Sequence, residues 1–346
     1  MKRIILTIIM LTILAFPVSA MDFKAPEAPG SVENYIPPVS NGFGEDLWYV
    51  LRSSFDYVIP AIKEASGACF SVIAVVIIQA LMQNFTGNTK AVNDTVGVLS
   101  ISLLLLQPAN SLIQLGIETV TELSEYGKAL LPVLTAAMAA QGGTATSAAL
   151  YTATAIFDTV LTAIIAKAIV PMIYIYLVTC IANSALQEQS LKQFKSFSKW
   201  SITWSLKTVL YVFTGYMTIT GVVNGTVDAS TLKATKLTIS GTVPVVGSIL
   251  SDASESVLIG ASLMKNSVGI YGVIAILAIF IGPFIKTGVH YMLLKFTSAV
   301  CSTVGTKTSA QLVQDFSDTM GFIMGMIGAV CIMLLISTIC FMKGAS

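Results

Sequence analysis

The sequence predicts an all-α polytopic membrane protein with about six transmembrane helices. Of its 346 residues, 55% are hydrophobic and only 11% are charged, whereas soluble domains carry roughly a quarter charged residues. The mean hydropathy is +0.82, and several apolar stretches approach the ~20 residues that cross a bilayer. Lipid is therefore expected to cover much of the surface. The net charge of +1 gives no reason to expect a nucleic acid as partner.

The first segment, residues 1–20, is typical of a secretory signal peptide. A short basic start precedes an apolar core, and Val18 and Ala20 suit a signal peptidase. An uncleaved first membrane helix is the alternative. In both cases we expect the segment 21–65 outside the cytoplasm, as a proline-containing lead-in and an amphipathic helix. The apolar positions of that helix recur every three or four residues: Leu47, Leu51, Phe55, Val58 and Ile62.

Six stretches supply the predicted crossings. Five of them have about the length of one crossing: 67–83, 96–117, 201–223 (despite Lys207), 268–285 and 321–342. The sixth, 144–186, is about twice as long as one crossing requires and contains Pro171. It forms either one bent crossing or two crossings. One bent crossing is favoured by the positive-inside rule, because two would place a lysine cluster outside.

Six crossings leave both chain ends outside the cytoplasm. The segments 84–95, 187–207 and 286–318 are then cytoplasmic, whereas 21–65 and 118–144 are outside. The cytoplasmic segments are the more positive ones, which agrees with the positive-inside rule. Seven crossings remain the alternative.

The sequence also predicts an internal parallel repeat. Aligning Pro171 with Pro283 also aligns Pro132 with Pro244, together with several apolar positions. Each copy contains two crossings, so the copies run parallel rather than inverted. We expect Pro171 and Pro283 to kink equivalent helices. The predicted units after the lead-in are a first helix pair at 66–117, repeat unit A at 118–223 and repeat unit B at 240–342.

Two charged residues lie within the apolar stretch 144–186. Asp158 and Lys167 are on opposite faces of a straight helix, so they cannot pair with each other. One interpretation is a polar lining between helices, because a charge at membrane depth is costly without a partner. The other places Asp158 near the outer boundary, with Lys167 extending inward to the interface.

Two further charged faces are candidates for contacts. Lys192, Lys195 and Lys199 alternate with aromatic residues and form a basic cytoplasmic face, suited to anionic lipid or a cytoplasmic partner. Beyond the membrane, Pro244 suits the first turn of an amphipathic helix. Asp252 and Glu255 share the polar face of that helix, which is either solvated or docks onto a partner or rims a pore.

The sequence contains no set of residues that indicates catalysis. His290 is the one histidine, and the five cysteines have no metal-ligand spacing. Nucleophile, phosphate-loop and metalloprotease motifs are absent. The sequence therefore predicts a protein that is not an enzyme and has no cofactor and no metal. Gly321 and Gly325 permit close helix packing or homo-oligomerisation.

Two segments resemble a known family. Residues 240–255 (SGTVPVVGSILSDASE) and 265–272 (KNSVGIYG), with 130–134 and the signal-plus-helices layout, resemble the stage III sporulation protein AE family. The resemblance covers essentially the mature chain. It implies a protein of the mother-cell membrane that engulfs the forespore, within a multiprotein channel joining the two cells. The implied partners are other stage III sporulation A-operon membrane proteins and, indirectly, the forespore partner of the channel.

Two functions from different classes are open at this point. The first is a structural subunit of that transenvelope channel, which fits the absence of a catalytic set. The second is a self-sufficient secondary transporter for a small solute, suggested by the repeat, the paired prolines and Asp158.

Overall fold

The fold was examined in a computed structural model, which describes residues 25–32, 35–37, 42–85, 90–140, 144–219, 267–304 and 306–344. These residues form helices and no strand. The elements are α1 (Phe43–Ser54), a 3₁₀ turn (Phe55–Tyr57), α2 (Val58–Phe85), α3 (Lys90–Ala140), α4 (Thr144–Ile164), a π-helical turn (Ile165–Ile169), α5 (Val170–Leu186), α6 (Gln189–Ile219), α7 (Ser267–Val304) and α8 (Lys307–Gly344).

The helix ends show local reasons for stopping where they do. Gln187 ends α5 in the left-handed conformation, with φ of 54°, and its N–H donates to the carbonyl of Asn183 at 2.8 Å. Thr306 caps α8, because its Oγ1 accepts the N–H of Ser309 at 3.2 Å. Such caps satisfy backbone groups that the helix itself leaves without partners.

The prediction of an all-α polytopic membrane protein is confirmed. Within the described residues, five helical segments are long and apolar enough to cross a membrane: Phe43–Gln83, Val92–Ala137, Tyr151–Leu186, Val268–Val304 and Lys307–Met342. Tyr151–Leu186 is one continuous segment, in agreement with the favoured single bent crossing. The remaining expected crossing, 201–223, falls on α6, which is 31 residues long and is not among the five. Six crossings therefore stay a prediction.

Helix α8 lies at the centre of the bundle. It packs against α3, α4, α5, α6 and α7, and 94% of its most apolar 18 residues are buried, against 28% for Phe43–Gln83. Gly116 and Gly127 of α3 allow a close approach, since a Cβ there would lie 2.6 Å from Ile323 and 2.5 Å from Leu334. Gly321 and Gly325 are likewise buried against the rest of the chain. Their small size therefore serves packing within one molecule.

Three helix connections meet at one end of the bundle, which we call the inner end. Ser309 Oγ donates to Gln79 Oε1 at 2.8 Å, which joins the start of α8 to the end of α2. Gln79 Nε2 in turn donates to Asp94 at the start of α3, at 3.3 Å. Gln187 Nε2 donates to Thr308 Oγ1 at 3.3 Å, between the α5–α6 connection and α8. The segments predicted to be cytoplasmic therefore converge at one end.

The contacts between α2 and α7 correct one predicted boundary. The two helices run parallel, because Tyr57 packs on Gly282 and Lys286 Nζ lies 2.8 Å from Glu64 Oε2. Glu64 belongs to the segment expected outside, whereas Lys286 was expected to begin a cytoplasmic segment. Residues that form an ion pair share one level, so the predicted boundaries at 65 and 286 cannot both be correct. The apolar stretch 268–285 lies farther toward the outer end than 67–83.

The physical reason for this error is burial within the protein. In Val268–Val304, 67% of the most apolar 18 residues are buried. Apolar side chains that are buried by neighbouring helices raise the mean hydropathy of a segment just as side chains that face lipid do. The apolar stretches of α7 and α8 therefore mark the core of the bundle, and they do not fix the level of the membrane.

The exposed large apolar side chains form a belt that begins at the inner end. On the described part of α3 they end at Leu106, and Gln114, Glu118, Glu125 and Lys128 are exposed beyond it. The belt members include Phe70, Ile77, Leu81, Leu99, Leu103, Ile175, Val178, Trp204, Met292 and Phe296. Helix α3 has 51 residues and is about 76 Å long, more than twice the hydrocarbon thickness of about 30 Å. The described outer part of α3 itself therefore exposes no large apolar side chain beyond Leu106, whereas on α4 the exposed Ile156 and Val160 reach the level of Ser124.

Candidate functional site

Two ion pairs join α6 to the central helix α8. Lys195 Nζ lies 2.9 Å from Asp315 Oδ2, with side-chain exposures of 14% and 2%, and Lys199 pairs with Asp318. Gln311 and Gln314 donate to the same two carboxylates at 3.0 and 2.9 Å. The additional amide bonds matter because a buried ion pair stabilises only when its remaining hydrogen-bonding groups are satisfied.

These pairs change what the predicted basic face can bind. Lys195 and Lys199 face α8 and are tied within the molecule, while Lys192 is exposed at the inner end. Sequence reasoning did not identify Asp315 and Asp318 as their partners. The signal was available, since lysines four residues apart and aspartates three residues apart each lie on one face of a helix.

Asp158 is buried at the contact between α4 and α3. It is 2% exposed, and Ser124 Oγ donates to its Oδ2 at 2.8 Å. Its Oδ1 has no hydrogen-bond partner among the described residues, and the same holds for Thr154 Oγ1 one turn earlier. Ser124 lies on α3 beyond Glu118, in the outer part of the bundle. The exposed apolar residues Ile156 and Val160 flank Asp158 on the same helix, so both interpretations of Asp158 stay predictions.

Lys167 lies apart from Asp158, exposed on the π-helical turn. Pro171 follows this turn at the start of α5. A proline cannot donate to the carbonyl four residues earlier, which here belongs to Lys167, and its ring also crowds that carbonyl. The wider π turn relieves this conflict and is a known cause of helix bending.

Pro283 occupies a different environment from Pro171. It lies inside α7, which continues as one α-helix from Ser267 to Val304. Thr287 Oγ1 donates to the Pro283 carbonyl at 2.8 Å, and the ring of Tyr57 packs against the neighbouring Gly282. The two prolines aligned by the repeat therefore differ in local geometry. Their equivalence as kinks stays a prediction.

Several predicted features lie outside the described residues. These are the signal peptide 1–20 and the outer face with Pro244, Asp252 and Glu255. The described part of the outer lead-in does contact the bundle, because Ser31 Oγ donates to Glu122 of α3.

The described residues contain no group of three or more His, Cys, Asp or Glu side chains that could hold a metal ion. The five cysteines are free and buried. His290 Nδ1 donates to the Lys286 carbonyl at 2.9 Å, a bond within one helical turn.

Together, the apolar belt, the central buried helix and the inter-helix ion pairs define a polytopic helical-bundle membrane protein. The family model for stage III sporulation protein AE matches residues 31–345. The chain therefore belongs to the stage III sporulation protein AE family, as the resemblance implied, and has a role in sporulation.

A curated relative supports this assignment. The stage III sporulation protein AE of Bacillus subtilis (strain 168) is 23% identical over 263 residues, which cover 76% of this chain and 66% of the relative. The match thus spans just under two thirds of the relative's length. No solved structure matches this chain.

Proposed function

We propose that the protein is a structural subunit of a multiprotein channel that joins mother cell and forespore, placed in the mother-cell membrane that engulfs the forespore. Family membership supports the sporulation role. The observation that carries the rest is the outer part of α3, which exposes charged residues beyond Leu106 on a helix longer than a bilayer is thick. A subunit of a channel between two membranes needs such a part, because its partners meet it outside its own bilayer.

The outer part of α3 offers a polar surface for these partners. Glu118, Glu125 and Lys128 are exposed there, beyond the last exposed large apolar residue of the described part of α3, Leu106. Charged residues at the edge of an interface set orientation and partner choice more than affinity. We propose that this surface, with Asp252 and Glu255, contacts the other stage III sporulation A-operon membrane proteins and, through them, the forespore partner.

Charge reversal tests this proposal in sporulating cells. We expect Glu118→Lys/Glu125→Lys to accumulate in the membrane at the normal level, since both residues are exposed, but to lose co-purifying partners and viable spores. Glu188→Lys, a reversal at the inner end, is the control and should keep both. If the double variant keeps its partners and its spore yield, the outer surface of α3 does not contact those partners.

A secondary transporter is the second candidate, and Asp158 is the observation that favours it. A buried carboxylate with one oxygen lacking a described partner could bind a cation or a proton. The exposed apolar residues Ile156 and Val160 flank Asp158 on α4, so the lipid-facing surface reaches its level, as a transporter site near the bilayer midplane requires. Purified protein in liposomes should show no solute flux if the structural role is correct. Flux that Asp158→Asn abolishes would establish the transporter instead.

A further inference from the structure

One face of α6 is exposed along the described part of the bundle. The helix packs against α5 and α8 on its other side, where Phe213 contacts Phe157 of α4 with ring centroids 5.3 Å apart. The opposite side exposes four large aromatic residues, each by more than half of its surface: Phe197, Trp200, Trp204 and Tyr211. We call this side the outward face of α6.

The outward face has the spacing of a contact between two helices. Its residues are separated by three, four, three and four positions: Phe197, Trp200, Trp204, Lys207 and Tyr211. This alternation keeps one line of side chains directed at a neighbouring helix, and most helix pairs in membranes pack in this way. The rings of Trp200 and Trp204 already stack on each other, with centroids 5.8 Å apart. Side chains that are packed in advance lose little conformational freedom on binding.

Lipid fits this face less well than it fits the belt. The belt on α2 and α3 is formed largely by aliphatic side chains such as Ile77 and Leu103, and both helices belong to segments apolar enough to cross a membrane. Helix α6 is not among these segments, although its Trp204 belongs to the belt. A helix of this composition gains more from a second helix than from lipid, because a second helix can pair with its polar groups.

Lys207 is the residue that specifies the partner. It is half-buried and has no ion-pair or hydrogen-bond partner among the described residues. The exposed rings of Trp204 and Tyr211 lie about one turn away on either side, so the charge interrupts an apolar surface. Such a charge is costly unless it is paired.

Lys295 shows how another lysine of the lipid-facing surface is satisfied. It lies between the exposed Met292 and Phe296 on α7, and its Nζ donates to Tyr291 Oη at 3.0 Å. Lys207 has no such bond within the described part of the chain, so its ammonium group is open to an acceptor on a neighbouring molecule.

We infer that the outward face of α6 binds a transmembrane helix of another protein, and that this helix carries an Asp or Glu side chain opposite Lys207. A second copy of the chain does not fit. Two copies in one membrane have the same orientation, so a symmetric contact between their α6 helices is parallel and brings the two Lys207 side chains together. Charge complementarity selects an acidic partner instead. This inference does not rest on the proposed function, because either candidate function allows a partner within the membrane.

A membrane-permeable carbodiimide tests the contact on the full-length protein in membranes of sporulating cells. The reagent joins an amine to a carboxylate without a spacer, so only groups in contact react. We expect an amide bond between Lys207 and an Asp or Glu in a transmembrane helix of another protein, located by mass spectrometry of the linked peptides. A link to a carboxylate of this chain's own sequence, or no link at Lys207, would overturn the inference, since a lysine that faces only lipid has no carboxylate in reach.

Matched variants test the charge. Lys207→Met should reduce co-purification of the linked protein by about tenfold or more, while the purified variant keeps its Tm. Lys207→Glu should reduce it at least as much, and a lysine in place of the partner's carboxylate should restore it. Lys295→Met, which removes a lysine that has a partner within the chain, is the control and should change co-purification by less than about twofold. Equal effects of Lys207→Met and Lys295→Met would contradict the inference.

Discussion

At the scale of single residues, charged side chains of this bundle form ion pairs between helices. Lys195 and Asp315 show the rule, since both are largely buried and their charges face each other across α6 and α8. Glu64 and Lys286 also pair across α2 and α7 at 2.8 Å, but with side-chain exposures of 47% and 32% they are not buried. In a low-dielectric interior an unpaired charge is far more costly than a pair. Each partner therefore depends on the other.

We predict that breaking the Lys195–Asp315 pair from either side destabilises the fold by about 3 kcal/mol or more. Lys195→Met and Asp315→Leu should each lower Tm strongly, and the double variant should recover much of the loss because no buried charge remains. A thiol-reactive dye can report unfolding, since the five cysteines are buried and free. The exposed Lys192→Met is the control. A double variant no more stable than the worse single variant would contradict the prediction.

At the scale of elements, the turn between α4 and α5 is the feature that shapes a crossing. The π-helical turn Ile165–Ile169 lies within the segment Tyr151–Leu186, directly before Pro171. A proline accounts for it, because the Lys167 carbonyl loses its normal donor. Pro283 has no such turn in α7. The bend in the long apolar stretch was predictable from its proline, but the π geometry was not.

We predict that Pro171→Ala restores a regular helix and lowers spore yield, while the protein still accumulates in the membrane. The added N–H gives the Lys167 carbonyl its partner. The wide π-helical turn then becomes an α-helical turn, which rotates α5 relative to α4. Pro283→Ala is the matched variant and should have the smaller effect, because α7 is already a continuous helix. The Pro171→Ala/Pro283→Ala double variant should lose function. If the double variant sporulates normally, the two aligned prolines of the repeat are not needed for function.

At the scale of the whole molecule, the bundle is longer than the membrane is thick. The inner end carries the three helix connections and the lipid-facing belt, while the outer part of α3 exposes charged residues. Helix α1 exposes Trp48 and Tyr49, and the 3₁₀ turn after it exposes Phe55; such aromatic side chains are typical of a membrane interface. It joins α2 just before Glu64, near the level at which the belt gives way to charged residues. We therefore predict that the outer boundary of the membrane lies near the Glu64–Lys286 pair.

Cysteine labelling tests this arrangement in intact cells, in a background without native cysteines. Ser190→Cys and Thr306→Cys should be protected from an impermeant reagent, whereas Ser31→Cys and Thr121→Cys should react. Lys286→Cys should also react from outside, because the structure places it level with Glu64. Leu103→Cys in the belt should react from neither side. External labelling of position 190 would require a seventh crossing, and protection of position 286 would contradict the proposed level of the membrane.

The sequence by itself determined the class of the protein and most of its helices. The low charge, the apolar stretches and Pro171 were sufficient for an all-α membrane protein with one bent crossing at 144–186, because hydropathy and helix length follow directly from composition. Only the tertiary structure decided which apolar surface faces lipid and which faces protein. Hydropathy cannot distinguish the two, since a side chain is removed from water in both. For this reason the boundaries at 65 and 286 could not be made consistent from hydropathy alone, and the pairing of Lys195 and Lys199 with α8 emerged only from the packed bundle.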